Sequence, residues 1–205
     1  MTSPRTAARI VGSLMLAAFF LYGIGTSVAT TATTGTPSVG IGAGMMLLNT
    51  AAVIAIGVVV YPVLRRHSPR VAVGYLTTRI FEGTLLAIGA ITLLNGAADA
   101  NTLAYNVAMA GLGIGSLFFC AVLYRARLVP RFLAAWGFIG YASFAAGCVL
   151  ELFGVAGAGL PATIPGGLFE LFFATWLLVR GFSSPAAEPA GEGARTVPLL
   201  ATAER

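Results

Sequence analysis

The sequence predicts an all-α membrane protein: a polytopic bundle of six transmembrane helices with both termini on the cytoplasmic side. First, 58% of the 205 residues are hydrophobic and only 9% are charged, whereas an ordinary soluble domain carries about 25% charged residues. Second, the apolar residues form six runs that reach the ~20 residues with which a helix crosses the hydrocarbon core. Third, arginine occurs in every other break between these runs.

The runs are long and evenly apolar. This favours helices over alternating strands, because backbone groups in lipid must bond within one segment or within a closed barrel. The predicted helices are Ile10 to Val28, Ile41 to Leu64, Val71 to Leu94, Leu103 to Tyr124, Phe132 to Phe153 and Ala162 to Val179. They form one domain over residues 1–182. Residues 183–205 are rich in Ala, Pro, Glu and Gly and are predicted to form a disordered cytoplasmic tail, because they cannot bury a core.

The first predicted helix follows a basic start at Arg5 and Arg9. Together with the small-residue stretch "SVATTA", this pattern also fits a cleavable signal peptide. The apolar run is longer than most signal cores, so we favour a retained helix.

Arginine placement predicts the orientation, because arginine in short loops marks the cytoplasmic side. The breaks 29–40, 95–102 and 154–161 contain no arginine. The alternate breaks contain Arg5, Arg9, Arg65, Arg66, Arg70, Arg125, Arg127, Arg131 and Arg180. This alternation fits six helices with both termini inside, as expected for a protein of the bacterial inner membrane.

Three polar residues lie within or near the ends of the second, fourth and fifth helices. Asn49 and Asn106 fall inside apolar runs, where an amide more often bonds a neighbouring helix than a ligand. Glu151 lies within a turn of the outer end of the fifth helix and is expected to reach the lipid headgroups.

Glycine and proline give weaker signals. Gly40 with Gly44 and Gly111 with Gly115 have the small-xxx-small spacing that permits close helix packing. The segment Pro161 to Gly167 predicts either an irregular start of the sixth helix that could admit a solute or simply a slow helix start.

The stretch "TTRIFEGTLL" places Arg79 and Glu82 inside the third helix, where charge is costly and usually functional. At ~1.5 Å per residue, Arg79 lies roughly 12 Å and Glu82 roughly 16 Å from the cytoplasmic end at Val71. Glu170 of the sixth helix lies roughly 14 Å from its own inner end at Val179. The three residues are therefore predicted to share one level near the middle of the membrane.

The i, i+3 spacing puts Arg79 and Glu82 on one helix face, and Glu170 can complete a cluster around the arginine. A guanidinium offers five donors in a planar fork and can hold two carboxylates. Two interpretations stay open. The cluster either fixes helix packing without chemistry, or one glutamate that the single arginine does not neutralise exchanges a proton or holds a cation.

Several function classes are disfavoured. The net charge of +5 comes with no basic patch interleaved with aromatics, so no nucleic-acid partner is expected. His67 is the single histidine, which excludes a haem held by paired histidines in the bundle, and no residues have zinc-ligand spacing. Nucleophile-elbow, P-loop and dinucleotide motifs are missing. No catalytic residue, metal or cofactor is predicted, and Cys120 and Cys148 are expected to be buried, unpaired thiols.

Three stretches carry a resemblance to a known family: "RIFEG" at 79–83, "RARLVPRFLAAWGFIGY" at 125–141 and "GLFELFFATWLLVRGF" at 167–182. They resemble the bacterial membrane family known as domain of unknown function 4386. The resemblance runs from the first helix to Phe182 and implies a six- or seven-helix multi-pass architecture, without implying an activity. The positions that match the family motifs are Arg79, Glu82, Val129, Pro130, Arg131, Glu170 and Trp176.

Three functions fit these observations. The first is a small carrier or ion-linked permease that uses the Arg79, Glu82 and Glu170 cluster. The second is a non-catalytic membrane subunit or assembly factor, with a membrane-protein partner or a second copy of the chain, in which the cluster only fixes packing. The third, a membrane enzyme acting on a lipid, would have only glutamates to work with and no nucleophile.

Overall fold

The computed structural model describes residues 4–183 and contains six helices and no strand in that range. The helices are α1 (Pro4–Thr31), α2 (Pro37–Arg65), α3 (Pro69–Leu94), α4 (Ala98–Arg125), α5 (Arg131–Leu152) and α6 (Gly159–Val179). Each predicted run coincides with one of these helices, most of which extend a few residues further. Apart from Ser183, the predicted disordered tail lies outside the described residues.

All six helices are long and apolar enough to cross a membrane. Their outward surface carries large apolar side chains such as Phe20, Leu48, Phe118, Phe132 and Ile139, each more than half exposed. An apolar surface of this extent would promote aggregation in water, but it suits contact with acyl chains. The fold is therefore a polytopic membrane bundle, as predicted.

Local sequence signals set several helix ends. Pro37 and Pro69 begin α2 and α3, where the missing N–H costs nothing and the fixed φ suits a helix. The Ser68 hydroxyl accepts a hydrogen bond from the Val71 amide at 3.4 Å, which caps α3. Gly96 follows α3 with a φ of 74°, a left-handed conformation that ends helices at low cost for glycine.

The segment Pro161 to Gly167 is helical, because α6 spans Gly159–Val179, so of the two alternatives the irregular start is wrong. Two α5 side chains support the backbone around Pro165, which lacks an N–H. Trp136 Nε1 donates to the Pro165 carbonyl at 3.1 Å, and the Ser143 hydroxyl donates to the Ala162 carbonyl at 2.8 Å.

The helices form a closed ring in chain order, because each packs on its chain neighbours and α1 also packs on α6. The contact between α1 and α6 is the least extensive of the six. We call the half of the bundle that carries the α1–α2, α3–α4 and α5–α6 loops the upper half, and the other half the lower half. The arginine pattern predicts that the upper half faces the outside.

Aromatic rings fill the centre of the lower half. Tyr75 stacks on Phe119 with ring centroids 4.4 Å apart, and Phe119 meets Phe173 edge-on at 5.9 Å. Phe173 stacks on Phe169 at 5.3 Å, which contacts Tyr141 at 5.6 Å. These five rings, here called the aromatic floor, pack together from the lower half up to the middle of the bundle.

Candidate functional site

A central cavity of about 460 Å³ lies above the aromatic floor and reaches into the upper half. All six helices contribute to its walls, which are mostly apolar. Small-molecule sites typically have about 300–1,000 Å³ and apolar walls with a few polar groups. The cavity therefore has the size and composition of a binding site for a small organic molecule.

Arg79, Glu82 and Glu170 all line this cavity. Arg79 and Glu82 are each only 3% exposed. Arg79 Nη1 donates to Glu82 Oε2 at 2.8 Å, and Arg79 Nε donates to the Tyr75 hydroxyl at 2.9 Å. The arginine is thus held by two side chains of its own helix, one turn on either side.

Glu170 differs from the expected arrangement. Within residues 4–183 the only ion pair is that of Arg79 with Glu82, so the guanidinium does not hold both carboxylates. Glu170 is instead bonded to Tyr141 of α5, whose hydroxyl donates a hydrogen bond to Glu170 Oε1 at 2.8 Å. This contact joins α5 to α6, whereas both hydrogen bonds of Arg79 stay within α3.

The cavity therefore contains unused hydrogen-bond acceptors. Neither Glu82 Oε1 nor Glu170 Oε2 receives a hydrogen bond from another described residue. The single guanidinium is matched to Glu82. Of the two carboxylates that line the cavity, Glu170 is consequently the one without a cationic partner.

Asn49 also faces the cavity, although we expected it to bond a neighbouring helix. The residue is only 2% exposed and lines the cavity. Its carboxamide makes no hydrogen bond to another described residue. A buried amide without a partner is costly, and here its open side is the cavity.

The other two predicted polar residues lie outside the cavity lining. Asn106 is buried in α4 near Gly159, where α6 begins. Glu151 lies one residue before the upper end of α5. Its two carboxylate oxygens accept hydrogen bonds from the amides of Gly157 at 3.2 Å and Gly159 at 2.7 Å, so it closes the α5–α6 loop.

Sequence reasoning missed the two tyrosines that complete the site. Tyr141 lies roughly 15 Å from the lower end of α5 at ~1.5 Å per residue, the level predicted for Glu170. Tyr75 lies four residues before Arg79 on one face of α3. The same comparison of depth and face, applied to hydroxyl groups as well as to charges, would have found both.

No resident metal site is evident in this part of the chain: residues 4–183 contain no group of three His, Cys, Asp or Glu side chains that could hold a metal ion. Cys120 and Cys148 are buried and free. The chemistry available at the cavity is therefore that of carboxylates, one guanidinium, an amide and tyrosines, which can bind a charged group or carry a proton.

The remaining family-motif residues lie at the lower end of the bundle, away from the cavity lining. Val129 is buried, and Pro130 immediately precedes α5. The Arg131 guanidinium lies 5.3 Å from the centroid of the Tyr124 ring, and that of Arg180 lies 5.9 Å from the Trp176 ring. These contacts attach basic side chains to aromatic rings where the predicted cytoplasmic interface lies.

A closed ring of six apolar helices around a cavity defines a multi-pass membrane protein. The model of the family described as "Domain of unknown function (DUF4386)" matches residues 6–181, and the chain belongs to this family. No curated protein and no solved structure matches the chain. The family match confirms the resemblance in the third helix and the second half of the chain, and it assigns no activity.

Proposed function

We propose that the protein is a small carrier or ion-linked permease of the bacterial inner membrane, and that its solute binds in the central cavity. The observation that carries the proposal is that Arg79, Glu82 and Glu170 line one cavity in the middle of the bundle. Ionisable side chains inside a membrane bundle that face a cavity are usually part of a solute or ion pathway.

The two halves of the bundle support this proposal. The cavity lining lies at and above the level of the charged residues, whereas the aromatic floor packs in the lower half and the middle of the bundle. Carriers bind their solute near the middle of the membrane and expose the site to one side at a time. A cavity that extends upward from its charged residues fits one end state of such a cycle.

The charged residues divide into two roles. Arg79 and Glu82 neutralise each other on α3 and orient the cavity face of that helix. Glu170 belongs to α6, and among the described residues its carboxylate accepts a hydrogen bond only from the Tyr141 hydroxyl. We therefore assign to Glu170 the exchange of a proton or a cation during transport, with Tyr141 as the residue that positions its carboxylate.

The test uses purified protein in liposomes that contain a pH-sensitive dye, to which a panel of small solutes is added. We expect some solutes to drive proton movement by the wild type, and Glu170→Gln to abolish it without preventing folding. Glu151→Gln is the matched control, because it makes the same chemical change outside the cavity. Equal loss in both variants, or no loss in Glu170→Gln, would contradict the role of Glu170.

A packing role for the cluster is the second candidate. It is favoured by the hydrogen bonds of Arg79, which are made within α3 alone and require no solute. If Glu170→Gln only lowers thermal stability and no solute moves protons, the protein is better described as a membrane subunit or assembly factor. Purification in mild detergent should then yield a stoichiometric membrane partner or a second copy of the chain.

A further inference from the structure

We propose that the cavity takes a hydrophobic amine, which passes sideways from the bilayer between α1 and α6 and places its ammonium group against Glu170. This inference rests on the proposed carrier function and adds the substrate class and the route. It is argued from the spacing of α1 and α6, the residues at the edge of the cavity and the charges inside it.

The two helices are close in the lower half and apart in the upper half. A Cβ atom added at Gly12 would lie 2.6 Å from the Ala174 carbonyl oxygen, which is too close for any side chain. Higher up, a Cβ at Gly167 would meet only the Phe19 ring, at 3.8 Å. At Gly23, which lines the cavity, it would meet nothing within 4 Å.

The neighbouring joints of the ring are closed at the same height. Between α1 and α2, a Cβ at Gly42 would lie 2.5 Å from the Gly25 carbonyl oxygen. Between α5 and α6, a Cβ at Gly147 would lie 2.9 Å from the Ala158 carbonyl oxygen. In the upper half, α1 and α6 are therefore separated where these neighbouring pairs touch.

Residues beside this gap belong to both the cavity and the outer surface. Phe19 of α1 and Leu160, Ile164 and Leu168 of α6 line the cavity and are all exposed on the outside of the bundle. We call the gap that they border the lateral opening. The side chains of these four residues are apolar, so the opening suits contact with acyl chains and admits a molecule with an apolar body.

The charges inside the cavity select a cation. Two carboxylates and one guanidinium line the cavity, and the guanidinium balances the formal charge of Glu82, so a cation balances the remaining negative charge and an acid would add to it. An ammonium group has three donors and no acceptor. Glu170 Oε2, Glu82 Oε1 and the unpaired carboxamide oxygen of Asn49 are the free acceptors that line the same cavity.

Two tyrosine rings add a face that suits the same ligand. Tyr22 and Tyr105 line the cavity and stack on each other with centroids 5.5 Å apart. Aromatic faces attract ammonium groups, most strongly where water is excluded. The ligand that satisfies both the walls and the polar groups is a single protonated amine on an apolar chain or ring system.

The binding test uses the full-length protein in lipid nanodiscs, radiolabelled dodecylamine as the probe, and empty nanodiscs as the background. We expect saturable binding that unlabelled dodecylamine displaces at a concentration about tenfold or more below that of dodecanol or dodecanoic acid. Glu170→Gln should weaken dodecylamine binding about tenfold or more. Asn49→Leu should weaken it severalfold and provides a second test if Glu170→Gln does not fold.

The route is tested with Gly167→Leu, whose side chain would fill the lateral opening beside Phe19. We expect association and release of dodecylamine to slow about tenfold. Gly74→Leu is the matched control, because Gly74 is also a helical glycine, its Cβ would meet nothing within 4 Å, and it lies outside the cavity lining. This variant should retain the wild-type rates.

Each result bears on one part of the proposal. Equal binding of the amine and the acid, or unchanged affinity in Glu170→Gln, overturns the assignment of an amine. Unchanged rates in Gly167→Leu overturn the lateral route. If dodecylamine fails to bind a wild type whose solute flux depends on Glu170, this inference is wrong and the carrier proposal stands. If the amine binds but the wild type moves no solute, the binding site stands and the carrier proposal is wrong.

Discussion

Arg79 obtains its partners from its own helix. Its guanidinium bonds Glu82 three residues later and Tyr75 four residues earlier, and its carbon lies 5.2 Å from the centroid of the Tyr75 ring. Gly57 of α2 leaves room for its stem, since a Cβ there would lie 2.9 Å from the Arg79 Cβ. The contacts of Arg79 with Tyr75 and Glu82 therefore form once α3 is helical, and α2 then packs closely on the Arg79 side chain.

Removing one partner of the Arg79–Glu82 ion pair should lower the free energy of unfolding more than removing both partners. Arg79→Met leaves the Glu82 carboxylate buried without a cation, which costs about 3–5 kcal/mol of unfolding free energy. The double variant Arg79→Met with Glu82→Leu should recover most of that loss, because no unpaired charge remains. Unfolding in mixed detergent micelles measures both variants; strictly additive losses would show that the pair is not coupled.

The hydrogen bond between Tyr141 and Glu170 should stabilise the contact of α5 with α6. Tyr141→Phe removes the donor from a fully buried position and should cost about 1–3 kcal/mol of unfolding free energy. Tyr124→Phe is the control, because Tyr124 is exposed and its ring contact with Arg131 survives the change. A loss of equal size in the two variants would argue against a special role of the Tyr141 hydroxyl.

The hydropathy pattern marks the charged residues of the site but not its hydroxyl groups. Arg79, Glu82 and Glu170 stand out because each interrupts an apolar run, and helical rise alone places them at one depth. Tyr75 and Tyr141 are counted with the apolar aromatics, so a hydropathy pattern does not mark them. The preference of Glu170 for a tyrosine depends on how α5 packs on α6, which no local pattern contains.

At the scale of helices, glycine spacing predicted packing only in part. A Cβ at Gly111 would lie 2.5 Å from the Phe81 ring, so this predicted glycine does face a neighbouring helix. Gly40 and Gly44 have the same spacing, yet a Cβ at either would meet nothing within 4 Å. Spacing within one helix shows that one of its faces carries small residues, but it does not show whether another helix packs against that face.

Two glycine substitutions in α2, only two positions apart, should change the stability of the protein in opposite directions. Gly42→Ala places a Cβ 2.5 Å from the Gly25 carbonyl oxygen and should cost about 1–3 kcal/mol through overpacking. Gly44→Ala meets open space and should stabilise α2 by up to about 1 kcal/mol through helix propensity. Thermal unfolding of the two variants makes the comparison, and destabilisation by Gly44→Ala would contradict the open face.

At the scale of the whole molecule, the orientation in the membrane is a prediction that cysteine labelling can test. Cys120 and Cys148 are buried, so they should give little background labelling. In intact cells, a membrane-impermeant maleimide should label Thr33→Cys in the α1–α2 loop. It should label His67→Cys in the α2–α3 loop only after the cells are permeabilised. The reverse pattern would place the upper half of the bundle, with its cavity, on the cytoplasmic side.

The number and limits of the helices could be predicted because each span is marked twice, by an apolar run and by the breaks at its ends. The closed ring and its cavity could not. Which helices touch is decided by shape, for example by the contact of Gly25 with Gly42, whose members are remote in the sequence. The position of the cavity depends likewise on contacts between helices, such as those of Phe173 with Phe119 and Phe169.

The order of the helices also determines how the ring can deform. Among the six described helices, every neighbouring pair except α1 with α6 is tethered by a short connecting segment. The bundle is therefore a split ring: it can widen at that one joint while all five connections keep their conformation. The contact between α1 and α6, which no connecting segment restrains, also borders the cavity. Widening the ring at this contact therefore enlarges the space around Glu170.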